Sequence, residues 1–200
     1  MPNFTIEKVG RVPYQTTFDK MIHYTATRNE NSDDLLLWVE HEPVFSQGRH
    51  GRDEHILNPN NIPIFQSDRG GQVTYHGPGQ VVIYFVFDIK RLNIGIKKFV
   101  EMIEQTTLTL LKKYDIPAHL IDGQPGVYVN SEKIASLGLR VKNGKTYHGL
   151  SINVDMDLTP FSYINPCGYN NLKMTQIKNF KKDITLNQVY EDFSNIFKSI

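Results

Sequence analysis

GVYVNSEKIASLGLRVKNGKTYHGLSINVD, Gly126 to Asp155, holds the turn that sets the register of the rest. Asn143-Gly144 is a strong two-residue hairpin signal, because both positions must take positive φ. A turn there puts Lys142 opposite Lys145 and fixes the pairing back along both strands. Leu139 then faces His148, Gly138 faces Gly149, Leu137 faces Leu150, Ser136 faces Ser151 and Ala135 faces Ile152. Alternation collects Lys133, Ala135, Leu137, Leu139 and Val141 with His148, Leu150, Ile152 and Val154 on one apolar face, expected to point inward. Lys133 and His148 are the polar members that break it. The facing glycines either leave bare backbone for a ligand or mark a bend in a twisted hairpin. On the hairpin alone a core histidine and a lysine snorkelling from a strand end are the default roles.

Upstream, RGGQVTYHGPGQVVIYF runs from Arg69 to Phe85. Gly70, Gly71, Gly77 and Gly79 loosen the backbone just before Val81–Phe85, a buried strand. Either something approaches that backbone closely or the chain turns a sharp corner. Further out, Asn3 to Val9 reads as an opening strand. Pro13 suits the first position of a helix with Tyr14, Phe18, Met21 and Ile22 on one face. Asp34 to Glu40 reads as a buried strand, Pro43 to Gly48 as its exit, Gly48 to Pro63 as a loop, and Ile62 to Gln66 as a short strand. From Gly95 the period becomes helical through Ile96, Phe99, Val100, Ile103, Thr107, Leu110, Leu111 and Tyr114, with Pro117 just beyond. Thr185 and Gln188 form a capping box before a last helix, Val189 to Phe197. Strands and helices mix without strict alternation, which predicts an α+β fold of mixed β-sheets packed with helices, one domain over residues 1–200.

Composition narrows the function. Basic and acidic residues number 22 and 21, so nothing in the charge calls for nucleic acid or a membrane. No apolar run reaches the length of a spanning helix, and the first twenty residues lack signal-peptide and transit-peptide character, which points to the cytoplasm. The lone cysteine, Cys167, excludes an internal disulfide framework and any multi-cysteine zinc site. Gly138 to Thr146 imitates a phosphate-binding loop, but five residues separate its glycines where four are required, and a strand follows where a helix should. Gly77-Pro78-Gly79 does not complete a dinucleotide fingerprint. The seven histidines show no metal-ligand spacing, so neither a nucleotide nor a metal is expected.

Cys167 lies in SYINPCG, Ser162 to Gly168, between a proline that fixes one backbone angle and a glycine that frees the next. A lone cysteine is usually a small buried hydrophobe, and this placement weakens that assignment without overturning it. As a nucleophile it would need help, since a free thiol is only about 3% thiolate at neutral pH. A nearby ammonium would stabilise the anion, and an inward Lys133 is a candidate.

RGGQVTYHGPGQ, GVYVNSEKIASLGLRV, YHGLSINVDMDL and INPCGY, in that order, closely resemble the signature segments of the lipoyl(octanoyl) transferases, the lipoate-protein ligase B type. HEPVFSQG, His41 to Gly48, resembles a further segment, and the likeness runs from about Pro13 to Tyr169. It implies a fold like the catalytic domains of biotin protein ligases and lipoate ligases. The implied activity moves an octanoyl or lipoyl group from acyl carrier protein to a lysine of lipoyl domains, those of 2-oxoacid dehydrogenase complexes and the glycine cleavage H protein. The resemblance makes Cys167 the thioester-forming residue and Lys133 the partner that promotes its ionisation. It places acyl contacts on Arg69, Gly70, Gly71, Gln72, Val73, Thr74, Tyr75 and His76, on Ser136, Leu137 and Gly138, and on Gly149, Leu150 and Ser151. The last two sets are the strips that the hairpin register already sets face to face. His148 is a further possible pocket residue, six residue pairs from Lys133 and roughly 20 Å along a straight strand. Glycines at 70, 71, 77 and 138 would then leave room for the acyl chain. Backbone N–H groups near Gly77 or Leu137 are alternatives for the oxyanion site. The thioester donor is already activated, so neither ATP nor metal is implied, and the chain is expected to act as a monomer. The alternatives are an ATP-dependent lipoate or biotin ligase of the same fold, and a noncatalytic module that binds acylated carriers.

Overall fold

Asn143 and Gly144 take φ of 54° and 82° and close the hairpin, as that dipeptide requires. The computed structural model describes residues 4–170 and 172–200. The arms are β9 (Glu132–Lys142) and β10 (Lys145–Asn153), and their pairing follows the sequence reading residue for residue, from Lys142 with Lys145 to Ala135 with Ile152. They sit inside a seven-stranded sheet. Its other members are β1 (Phe4–Val12), β2 (Asp34–His41), β6 (Gln80–Val86), β7 (Ala118–Ile121) and β8 (Gln124–Val129), in the order β1-β2-β6-β10-β9-β8-β7. Asn3, the first residue of the expected opening strand, lies outside the described residues.

Three helices cover this sheet. Helices α2 (Ile96–Lys113) and α3 (Leu186–Lys198) lie on one face and bury Phe99, Ile103, Leu110, Leu111, Val189, Phe193 and Phe197 against Leu36, Ile83, Phe85 and Ile152. The Thr185 hydroxyl accepts the Gln188 N–H at 3.2 Å, so the expected cap is present, and the helix starts at Leu186 rather than Val189. On the other face, α1 (Tyr14–Thr27) brings Met21 against Leu37, Val39, Val82, Tyr84 and Tyr147. Pro13 is its N-cap, not its first helical residue. Ile22 is 37% exposed, because the face that packs runs Tyr14, Thr17, Met21, Thr25 and Ile22 lies one residue step round from Met21.

A second sheet joins β4 (Ile64–Gln66), which lies within the short strand expected at Ile62 to Gln66, to β3 (Val44–Gln47) and β5 (Val73–His76), which depart from expectation. Its order is β4-β3-β5. Pro43 to Gly48 is thus a strand of its own rather than an exit, and the glycine-rich segment contains one too. Phe45, Val73, Tyr75, Met156, Phe161 and Ile164 form the apolar cluster beneath it.

The hairpin's faces also need correction. Val127 pairs with Ala135 and Tyr128 with Lys133, so Ile134 is an extra residue in a β-bulge. Ile134 and Ala135 both enter the core under α2 and α3, which turns Lys133 to the opposite side. His148 has φ of 61° where β10 leaves its ladder with β6, and its ring lies against Tyr84 and Tyr147 on the α1 side. Both polar residues leave the apolar face they were expected to interrupt.

Candidate active site

Cys167 occupies the tight turn Pro166–Gly168 with φ of 57° and ψ of 16°, left-handed angles that an L residue other than glycine adopts at a cost of about 1–2 kcal/mol. The turn is closed by the Gly168 N–H to the Asn165 carbonyl at 2.9 Å. The chain beyond it then runs beside β9. The Lys133 N–H donates to the Lys173 carbonyl, and the Thr175 N–H donates to the Lys133 carbonyl, both at 2.9 Å. These bonds hold the cysteine segment and the lysine strand in one frame. Lys133 Nζ lies 3.2 Å from Cys167 Sγ, although 34 residues separate them in the chain.

Lys133 is 2% exposed and its ammonium sits over the Tyr128 ring, 5.3 Å from the centroid. Its stem needs the glycine at 126, where a Cβ would come within 2.5 Å of Cε. Burial pushes the lysine's pKa down, but the Cys167 thiolate and Tyr128 outweigh it, and the value stands above the ordinary one. Lys133 is therefore held as an ammonium beside the Cys167 sulfur.

This pair opens on a cavity of about 140 Å³ on the α1 side of the sheet. The expected segments divide across its wall in a simple way. On β5 the period of two sends Thr74 and His76 to the cavity, together with Gln72 just before the strand, while Val73 and Tyr75 point into the apolar cluster under the small sheet. Arg69 and Gly71 form part of the rim, and Gly70 instead bonds its N–H to the Leu139 carbonyl at 3.0 Å. Ser136, Leu137, Gly138, His148, Gly149, Leu150 and Ser151 all border the cavity. So Gly70, Val73 and Tyr75 are not wall residues. Of the two regions open for the oxyanion, Leu137 borders the cavity and Gly77 does not.

The Arg69 guanidinium is spent on the scaffold. It donates to the Ser46 hydroxyl and carbonyl and to the carbonyls of Gly70 and Gln72, tying the rim to β3. The glycines serve the chain's own contacts as well. A Cβ at Gly149 would lie 2.1 Å from the Ile83 carbonyl oxygen, and one at Gly138 would lie 3.1 Å from the Gly70 carbonyl oxygen. At Gly77 the obstacle is the Tyr75 hydroxyl, at 2.2 Å. Close packing of backbone and rings, rather than space for a ligand, explains these positions.

Tyr14, Val82, Tyr84, Pro125 and Tyr169 also line the cavity and were not singled out in the sequence. Val82 and Tyr84 were legible in principle, as the alternate residues of β6 that face away from the main core. Among the described residues no three His, Cys, Asp or Glu side chains gather as a metal site, and no helix is long and apolar enough to cross a membrane.

Comparison with known proteins gives a consistent picture. The family model described as the lipoyl protein ligase A/B catalytic domain matches residues 12–198. An octanoyltransferase from Francisella tularensis subsp. mediasiatica is 52% identical over 201 residues, covering 100% of this chain and 98% of the relative. Among solved structures, a bi-partite lipoate protein ligase from Thermoplasma acidophilum superposes with a TM-score of 0.76 at 14% identity, covering 98% of this chain and 83% of that one. The biotin protein ligase of Aquifex aeolicus gives 0.60 at 12% identity, covering 98% and 68%. At these identities the structures share the fold alone, which is the α+β arrangement expected from the sequence.

Proposed function

The chain belongs to the lipoyl protein ligase A/B catalytic domain family, and on that premise we propose that it is an octanoyltransferase working through Cys167. As an acyltransferase of protein lipoylation it acts on lipoyl-dependent acceptor proteins. The donor is octanoyl-acyl carrier protein. The acceptors are the lipoyl domains of 2-oxoacid dehydrogenase complexes and the glycine cleavage H protein. The observation that carries this proposal is the Cys167–Lys133 pair, 3.2 Å apart at the wall of the cavity.

Two acyl transfers follow from that geometry. The Cys167 thiolate attacks the donor's thioester carbon, forming a new C–S bond and breaking the old one. The Lys133 ammonium gives its proton to the departing carrier thiol and is left neutral. Acylation removes the anion that held the ammonium in place, so burial now favours the neutral amine. The lysine of the lipoyl domain attacks the enzyme thioester and passes a proton to Lys133. An amide forms, the C–S bond breaks, and the thiolate and ammonium are restored. Because the donor is a thioester, no ATP and no metal enter the cycle. The acting unit in this proposal is a single chain.

The test is transfer from octanoyl carrier protein to an isolated lipoyl domain with no ATP or metal added. Octanoylated domain is the expected product. Octanoylation that requires free octanoate and ATP would instead make the chain a ligase, and carrier binding without any transfer would make it a noncatalytic module.

A further inference from the structure

His76 lines the cavity, yet both nitrogens of its ring are committed to partners inside the protein. Those partners belong to one buried chain of hydrogen bonds whose two ends cannot change role. At one end the Arg69 guanidinium can only donate, and two of its nitrogens reach Ser46 Oγ at 3.1 and 2.9 Å. At the other end the Thr175 carbonyl can only accept, and it lies 3.0 Å from the Asn153 side-chain nitrogen. Between them, Gln80 Nε2 is 3.0 Å from Asn153 Oδ1, and Gln80 Oε1 is 2.7 Å from His76 Nδ1. His76 Nε2 closes the chain at 3.0 Å from Ser46 Oγ. Ser46, His76, Gln80, Asn153 and Thr175 are all buried.

The fixed ends decide every proton between them. The Thr175 carbonyl draws the Asn153 N–H, so Asn153 Oδ1 accepts from Gln80. The other Gln80 N–H goes to the Tyr75 carbonyl at 3.2 Å, which leaves Gln80 Oε1 facing His76 as an acceptor. His76 then carries its proton on Nδ1, and its Nε2 accepts the Ser46 hydroxyl. Burial pushes the ring's pKa well below its ordinary value, in keeping with a neutral ring. The last link meets the reactive pair. Thr175 donates its N–H to the Lys133 carbonyl at 2.9 Å, so the segment that Asn153 grips is the one beside Lys133. Gln80 and Asn153 are themselves partners in the ladder of β6 and β10. Resting on the proposed acyl transfer, we propose that Gln80 and Asn153 are positioning residues for the Lys133–Cys167 pair. Their amides tie the cavity rim at Arg69 to the segment that sets Lys133 Nζ against Cys167 Sγ.

The test has two parts. In the wild-type protein, NMR of the ring nitrogens at neutral pH is expected to place the His76 proton on Nδ1. A proton on Nε2, or a charged ring, overturns the proposal without recourse to any variant. The second part is a double-mutant cycle on alkylation of Cys167 by iodoacetamide, which needs no acyl donor. Asn153→Ala is expected to slow alkylation by about tenfold, and to slow it no further in a Lys133→Ala background. General loosening of the fold would act alike in both backgrounds. Equal effects in both, or no effect in either, overturn the proposal. Should Asn153→Ala fail to fold, Gln80→Met, close in size to the native side chain, enters the same cycle with the same outcomes. Coupled alkylation in a protein that transfers no octanoyl group defeats the octanoyltransferase reading and leaves the positioning role standing. Octanoyl transfer with uncoupled alkylation does the reverse.

Discussion

In the proposed mechanism Cys167 and Lys133 act as one unit whose charge depends on whether the sulfur is acylated. In that cycle acylation of the sulfur removes the partner that favours the Lys133 ammonium, and the buried lysine is left as a base. Lys133→Ala is therefore expected to slow alkylation of Cys167 by iodoacetamide at neutral pH and to cut octanoyl transfer by 100-fold or more, in line with loss of a positioned acid–base group. Lys133→Arg keeps a cation but cannot serve as a base. It is expected to restore part of the alkylation rate and little of the transfer, which stopped-flow acylation and steady-state turnover would separate. Full turnover in the alanine variant would assign activation of the thiol to another group. In the sequence, Cys167 was legible as a residue set between a proline and a glycine. Its left-handed angles and its distance from Lys133 were not, because they depend on the 173–175 segment pairing with β9.

The hairpin is the element that the sequence described best, and its failures are instructive. Asn-Gly turn chemistry fixed every pair, but the facing of side chains assumed unbroken alternation. One bulged residue, Ile134, and one left-handed residue, His148, were enough to turn the polar side chains of Lys133 and His148 to the other face. The facing glycines point to the same limit. A side chain at 149 would meet the Ile83 carbonyl and the Phe85 ring rather than an acyl chain. Gly149→Val is expected to destabilise the protein by about 1–3 kcal/mol or more, read as a lowered melting temperature. Its residual activity should fall equally for butyryl, octanoyl and decanoyl donors. A variant with a normal melting temperature and a selective loss of the longer donors would restore Gly149 as part of the acyl wall.

Across the whole molecule, the long periodic elements and the short strand β4 were readable, and the other two strands of the second sheet were not. Strands β3 and β5 are four residues each and nearly all buried, so they show no alternation, and their glycine-rich and proline-bearing flanks look like loops. That small sheet carries one wall of the cavity, which is why the alternation of wall and core residues on β5 was invisible. The same region buries histidines that must stay neutral. Burial pushes the His41 pKa down to about 4, and that of His76 well below its ordinary value. As pH falls through 6.5 the unfolded chain takes up protons that the folded chain refuses, so stability present above 6.5 is lost progressively toward pH 4. His41 alone accounts for roughly 3 kcal/mol of that loss. Denaturant unfolding at pH 7.5, 6 and 5 should show the midpoint dropping steadily. A flat or rising midpoint would mean that these rings are charged or solvated in the folded protein.

The most direct test of the covalent mechanism is the intact mass of the protein after mixing with octanoyl carrier protein and no acceptor. Cys167 is the sole thiol of the chain. One octanoyl group should add, map to Cys167, disappear when a lipoyl domain is supplied, and fail to form in Cys167→Ala. Rapid octanoyl transfer by Cys167→Ala, or transfer by the wild-type protein with no octanoyl group ever found on Cys167, would contradict the account.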